Sequence, residues 1–122
     1  DILRTLTLDF EVFSEGGFLL GHASFVCIPQ SFSAVEYAKH LFAFTAHESC
    51  GKCFPCRLGA TRGKEMLESA LEKDQKFSEE LINDLLETME VGSLCALGGG
   101  LPLAIKNLLE HCADEFEPLM EK

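Results

Sequence analysis

Apolar and polar residues alternate along residues 4–13. Leu6, Leu8, Phe10 and Val12 fall on one face, and Thr5, Thr7, Asp9 and Glu11 on the other. A period of two predicts a half-buried strand. Glu15-Gly16-Gly17 reads as a turn. The apolar, β-prone stretch from His22 to Ile28, stopped by Pro29, reads as a second strand. Two strands do not make a stable sheet alone, so more of that sheet is expected upstream.

From Ser31 the period becomes helical. Ser33 and Glu36 form a capping-box pattern, with Phe32 and Tyr37 placed as a hydrophobic staple. Val35, Ala38, Leu41, Phe42 and Thr45 then share one face. A second helix is predicted from about Ala60 to Lys73, with Met66, Leu67, Ala70 and Leu71 inward. Ser78 caps a third, with Glu79 and Glu80 in its first turn, where they favour the helix dipole. Its inner face is Leu81, Ile82, Leu85, Leu86 and Met89, and Gly92 ends it. A fourth is predicted to begin near Pro102, with a stripe of Leu101, Ile105, Leu108, Leu109, Cys112 and Phe116. The pattern implies a mainly α fold, a small four-helix bundle behind the end of a β element.

The chain has 122 residues, 47% hydrophobic and 25% charged, the composition of an ordinary globular domain. Its length suits one domain, or one domain and a piece of another. The formal charge is -10, so nucleic acid and anionic lipid should be repelled. No apolar run is long enough to cross a bilayer. No signal-peptide pattern opens the chain, which reads as an excerpt starting at Asp1. The charge is uneven. Lys52, Arg57, Arg62 and Lys64 face one acid, Glu48, between His47 and Lys64, whereas residues 65–90 are strongly acidic. That acidic stretch reads as a solvated helix face or as a docking surface for a basic partner.

The bases collect where the cysteines do. Cys50, Cys53 and Cys56 form two C-x-x-C steps sharing the middle residue. Such crowding gives poor geometry for separate disulfides. It suits a loop wrapping one [4Fe–4S] cluster with three thiolates and a fourth from elsewhere. Between Cys56 and Cys95 lie 38 residues, enough for two antiparallel helices of about 20 Å each. Cys95 can therefore return to the other three. Lys52 and Arg57 would offset the charge of such a cluster, Gly51 would let backbone N–H groups approach the sulfurs, and Pro55 would stiffen the loop. Zinc in the same four cysteines, as a structural staple for an interaction module, is the alternative reading. Free thiols or disulfides are a third, and a reducing compartment follows if the site is metallic.

Other features read more plainly. Cys27 and Cys112 look like buried small hydrophobes. His47 looks like a solvated residue at a helix end, and His22, His40 and His111 have no evident partner set. Gly98-Gly99-Gly100 lacks the context of a phosphate loop and reads as a flexible turn packing near Cys95.

Glu48-Ser49 and the segment from Cys50 to Gly59 resemble the signature of the NADH-binding flavoprotein subunit of respiratory complex I. The same module occurs in diaphorase-type subunits of NAD(P)-linked hydrogenases and formate dehydrogenases. The second half of the signature is present as Ser93-Leu94-Cys95-Ala96-Leu97-Gly98. Leu20-Gly21 and the following strand resemble the end of that subunit's ubiquitin-like middle domain. Residues from about 31 onward resemble its C-terminal helical domain. The resemblance implies two parts: residues 1–30 as the end of a ubiquitin-like α+β domain and residues 31–122 as a helical iron–sulfur domain.

It further implies that Cys50, Cys53, Cys56 and Cys95 hold one [4Fe–4S] cluster, with no catalytic side chain here. In the family, NADH reduces FMN and the cluster carries single electrons onward. The glycine-rich FMN and NADH site of the family is not in these residues, so FMN and NAD(H) belong to the full-length parent. This part alone should not oxidise NADH. Implied partners are the FMN/NADH-binding domain of the same subunit, a thioredoxin-like [2Fe–2S] subunit and further iron–sulfur subunits, without membrane insertion. The implied location is the cytoplasm or the cytoplasmic side of the inner membrane. A natural short electron carrier reusing the fold is a further possibility. Two departures stand out. Leu58 replaces an acid common in the family, and Gly99-Gly100-Leu101-Pro102 lacks a nearby aromatic common in complex I members, which points toward the hydrogenase or formate dehydrogenase type.

Overall fold

The computed structural model describes residues 5, 7–21, 26–29 and 31–121. The fold is mainly helical. Its elements are α1 (Phe10–Glu15), α2 (Ala34–Glu48), α3 (Phe54–Lys73), β1 (Phe77–Ser78), α4 (Glu79–Gly92), α5 (Ala96–His111), α6 (Ala113–Phe116), a 3-10 turn (Glu117–Leu119) and β2 (Met120–Glu121).

The strand expected over residues 4–13 is not formed in its described part. Asp9 Oδ1 accepts hydrogen bonds from Glu11 N (2.9 Å) and Val12 N (3.3 Å), which caps α1 instead. Alternation over so few residues fits a short capped helix as well as a strand, and the local cap decides. The turn at Gly16-Gly17 is present. Of the second expected strand, residues 22–25 lie outside the described residues, and 26–28 are neither strand nor helix. Cys27, expected to be buried there, is exposed.

The helical half follows its pattern closely. Ser33 Oγ accepts from Glu36 N at 3.4 Å and caps α2, and the Phe32 and Tyr37 rings meet edge to face at 6.4 Å. The return half of the capping box differs. Glu36 pairs with Lys39 at 2.6 Å. Glu115, beyond α5, brings its Oε2 to Ala34 N (2.8 Å) and Ser33 Oγ (3.0 Å). A carboxylate at a helix N-terminus satisfies a free N–H and the dipole together.

Two helix starts lie earlier than expected. Helix α3 begins at Phe54 rather than near Ala60, with Pro55 in its first turn, a position where a missing N–H costs nothing. Helix α5 begins at Ala96 rather than near Pro102, which sits fully buried inside it. Three consecutive glycines disfavour a helix intrinsically. Here the close packing of Gly98 against α3, described below, overrides that preference.

The four longer helices share one core. Phe42, Leu67, Ile82, Leu86, Met89, Ile105 and Phe116 are fully buried at its centre, each worth roughly 1.5–3 kcal/mol in transfer free energy. Leu81, expected inward, is instead 47% exposed. Helices α3 and α4 run antiparallel, because Gly59 meets Met89 and Leu85 while Pro55 meets Gly92. At the far end of α3, β1 pairs with β2 in parallel, Phe77 opposite Met120. No helix among the described residues is long and apolar enough to cross a membrane.

Gly63 of α3 faces the Phe42 ring of α2. A Cβ at Gly63 would lie 2.2 Å from the Phe42 ring. Gly63→Ala should therefore destabilise the fold by about 1–3 kcal/mol through overpacking. Urea unfolding would register this as a lower midpoint at unchanged slope, and an unchanged midpoint would refute it.

Candidate metal centre

The first three candidate cysteines sit where α2 passes into α3, Cys50 and Cys53 on the connection and Cys56 in the first turn of α3. Gly51 takes a left-handed backbone (φ 75°), which only glycine adopts without strain. Ser49 Oγ accepts from Gly51 N at 3.2 Å, and Arg57 Nη1 donates to Gly51 O at 3.1 Å. The Arg57 guanidinium lies 4.9 Å from the centre of the Phe54 ring. Arg57 thus clamps the loop and leaves its positive charge beside the thiols.

Cys53 is the N-cap residue of α3 and Cys95 that of α5, yet neither side chain caps its helix. Both thiols therefore stand at helix N-termini, where the backbone N–H groups point outward. Cys56 lies in the first turn of α3 and is buried. The Cys53 thiol is held below its ordinary pKa. The backbone N–H of Leu94 contributes most, followed by that of Cys56, against the opposing effect of burial.

These contacts tie the two cysteine segments together. Leu94, next to Cys95, touches Cys53. Ser49, next to Cys50, has its Oγ 3.4 Å from Cys56 Sγ. From α5, Gly98 presses on the same thiol. A Cβ there would lie 2.6 Å from Cys56 Cβ, 2.9 Å from Cys56 Sγ and 2.6 Å from Ser93 Oγ. Gly98 thus packs against Cys56 within a helix, where a flexible turn near Cys95 was expected.

Cys53 and Cys56 come together directly, whereas Cys50 and Cys95 are exposed. Among the described residues, no three His, Cys, Asp or Glu side chains already converge as a metal site. All six cysteines are free thiols. Cys112 is half-buried against the core, as expected, and His47 is exposed with Nε2 3.9 Å from Glu48 Oε1.

The residues present fit a soft, anionic cluster. Two cysteines stand at helix N-termini, backbone N–H groups surround Cys53, and Gly98 lets α5 pack directly on Cys56. Ser93 Oγ is buried there without a hydrogen-bond partner among the described residues. Sequence reasoning named the four cysteines but missed Ser93 and the N–H of Leu94. Ser93 stands within the second half of the signature, but nothing in the residue order signals the burial of its hydroxyl.

Gly98→Ala should displace Cys56 and lower bound iron per chain several-fold, while Gly100→Ala, which meets nothing within 4 Å, should not. Iron analysis of both variants decides, and equal retention would refute it. The depressed pKa of Cys53 stabilises its thiolate in the folded state. That contribution is present above the unfolded pKa and lost as pH falls through the folded one. In reduced, chelated protein, alkylation of Cys53 should begin at lower pH than in urea-unfolded chain. Peptide mass spectrometry checks this, and coincident onsets would contradict it.

The chain is similar to known proteins over most of its length. Residues 36–119 match the family model of the NADH-ubiquinone oxidoreductase-F iron-sulfur binding region. The chain is 31% identical over 123 aligned positions to the mitochondrial NADH-ubiquinone oxidoreductase 51 kDa subunit of Neurospora crassa, covering 99% of this chain and 25% of that protein. It is 29% identical over 113 residues to NADP-reducing hydrogenase subunit HndC of Solidesulfovibrio fructosivorans, covering 92% of this chain and 23% of that one. The chain thus spans about a quarter of the length of these relatives. In fold, it matches a chain in the crystal structure of an NAD+-reducing [NiFe]-hydrogenase in the H2-reduced state. The TM-score is 0.68 at 24% identity, over 84% of this chain and 19% of that one. The chain belongs to the NADH-ubiquinone oxidoreductase-F iron–sulfur binding region family, whose cofactor is a [4Fe–4S] cluster.

Proposed function

We propose that this chain is the electron-relay part of an NAD(P)H-linked flavin oxidoreductase. Cys50, Cys53, Cys56 and Cys95 hold one [4Fe–4S] cluster between FMN, bound elsewhere in the parent subunit, and downstream centres. The bound cluster supplies one-electron redox chemistry. The chain's residues hold it, surround it with hydrogen-bond donors and limit its contact with water. The observation that carries this reading is the contact of Leu94 N–H with the Cys53 thiol. It brings the Cys95 turn onto the cysteine loop. Cys50 lies on that loop and Cys95 on that turn, both exposed.

The parent is the catalyst, and this part alone carries no hydride transfer. Residues 1–30 are the end of a ubiquitin-like domain and 31–122 the iron–sulfur domain, with its four longer helices as a bundle. Partners are the FMN/NADH-binding domain, a thioredoxin-like [2Fe–2S] subunit and further iron–sulfur subunits. Exposed Phe54, Leu58 and Leu94 flank the thiols, an apolar setting suited to protein contact. The location is cytoplasmic or peripheral on the cytoplasmic side of the inner membrane.

Anaerobically purified protein should hold about four iron and four sulfide per chain, with a brown absorbance that bleaches on dithionite. Cys95→Ser should lose the cluster or leave a labile three-iron form, and Cys112→Ser should keep it. A colourless protein with about one zinc, or equal damage from both substitutions, would overturn the reading.

A further inference from the structure

Ser93 ends α4 two residues before Cys95. Its backbone N–H is satisfied, donating to Met89 O at 3.2 Å. Its hydroxyl is not. Oγ is buried without a partner among the described residues. Such a group is destabilising unless something it can bond occupies the site. Alanine would fill the same space without that cost.

The position of the hydroxyl indicates its use. The point where a Gly98 Cβ would stand is 2.6 Å from Ser93 Oγ and 2.9 Å from Cys56 Sγ. The hydroxyl and the thiol therefore both pack against Gly98, so closely that no side chain fits there. Ser49 approaches the same sulfur from the loop side, at 3.4 Å. Ser49 Oγ already accepts from Gly51 N. Ser93 is the hydroxyl left without a task.

We infer that the Ser93 hydroxyl donates a hydrogen bond to a sulfur of the cluster that Cys56 holds, and so raises its reduction potential. The inference rests on Cys56 being a ligand. Reduction adds one electron and one unit of negative charge, spread partly over the sulfurs. A donor O–H stabilises the more negative state more than the less negative one. Removing it makes the cluster harder to reduce.

The test compares the loaded wild-type chain with Ser93→Ala and Ser93→Thr, by iron content and then by redox titration followed by electron paramagnetic resonance. Ser93→Ala should shift the reduction equilibrium against the reduced form by up to about tenfold, or about 59 mV for a one-electron couple. Ser93→Thr, which keeps the hydroxyl, should stay near wild type. Loss of iron in Ser93→Ala alone, with retention at near wild-type potential in Ser93→Thr, also supports a needed hydroxyl. Equal potentials in all three, or loss of iron in both variants, overturns the inference while leaving the cluster assignment standing. Wild-type chain without iron overturns the cluster assignment and this inference with it.

Discussion

The packing of the first turn of α5 on the first turn of α3 is the contact on which the site depends. Gly98 lies so close to Cys56 that no side chain fits between them. That approach requires α4 to return the chain along α3, and the pairs Gly59–Met89 and Pro55–Gly92 fix that return. Two helix N-termini then end at one place, each with a cysteine at its cap position. The sulfur chemistry follows from the helix packing.

Electrostatics act in the same direction. Partial positive charge from two helix ends and from backbone N–H groups meets sulfur in a half-enclosed site. Arg57 adds a full charge while its hydrogen bond goes to the Gly51 carbonyl. It therefore serves the loop and the thiols together. The acids of α3, Glu65, Glu68 and Glu72, lie farther along that helix. Several of them pair within a helix turn, as Arg62 does with Glu65 (3.4 Å) and Lys64 with Glu68 (3.3 Å). Exposed pairs of this kind contribute little to stability.

Much of the helical half was legible in the residue order. Val35, Ala38 and Phe42, Met66, Leu67 and Ala70, and Ile82, Leu86 and Met89 each fall at helical spacing and are buried. Ser33 and Ser78 cap where their chemistry indicates. The errors have physical causes. Residues 10–13 alternate too briefly to separate strand from helix, and Asp9 decides locally. Gly98 to Pro102 reads as a break because propensity is local, whereas the contact that holds this turn comes from a residue 42 positions earlier, Cys56. The pairing of β1 with β2 is too short to leave a periodic signal. At the site, cysteine spacing identified the candidate thiols, but spacing carries no information about the donors that surround them.

The parallel pairing of Phe77 with Met120 stands at the opposite end of α3 from the cysteines. The 20 residues of that helix put about 30 Å between them. The C-terminal segment is thus stitched down far from the redox end. Glu115 fastens it a second time, at the start of α2. The seam that fixes the helices and the thiols consequently reside in different regions of one small molecule. Sequence drift around Ser93 and Leu94 can alter the surroundings of the thiols while the distant seam keeps the helices in register.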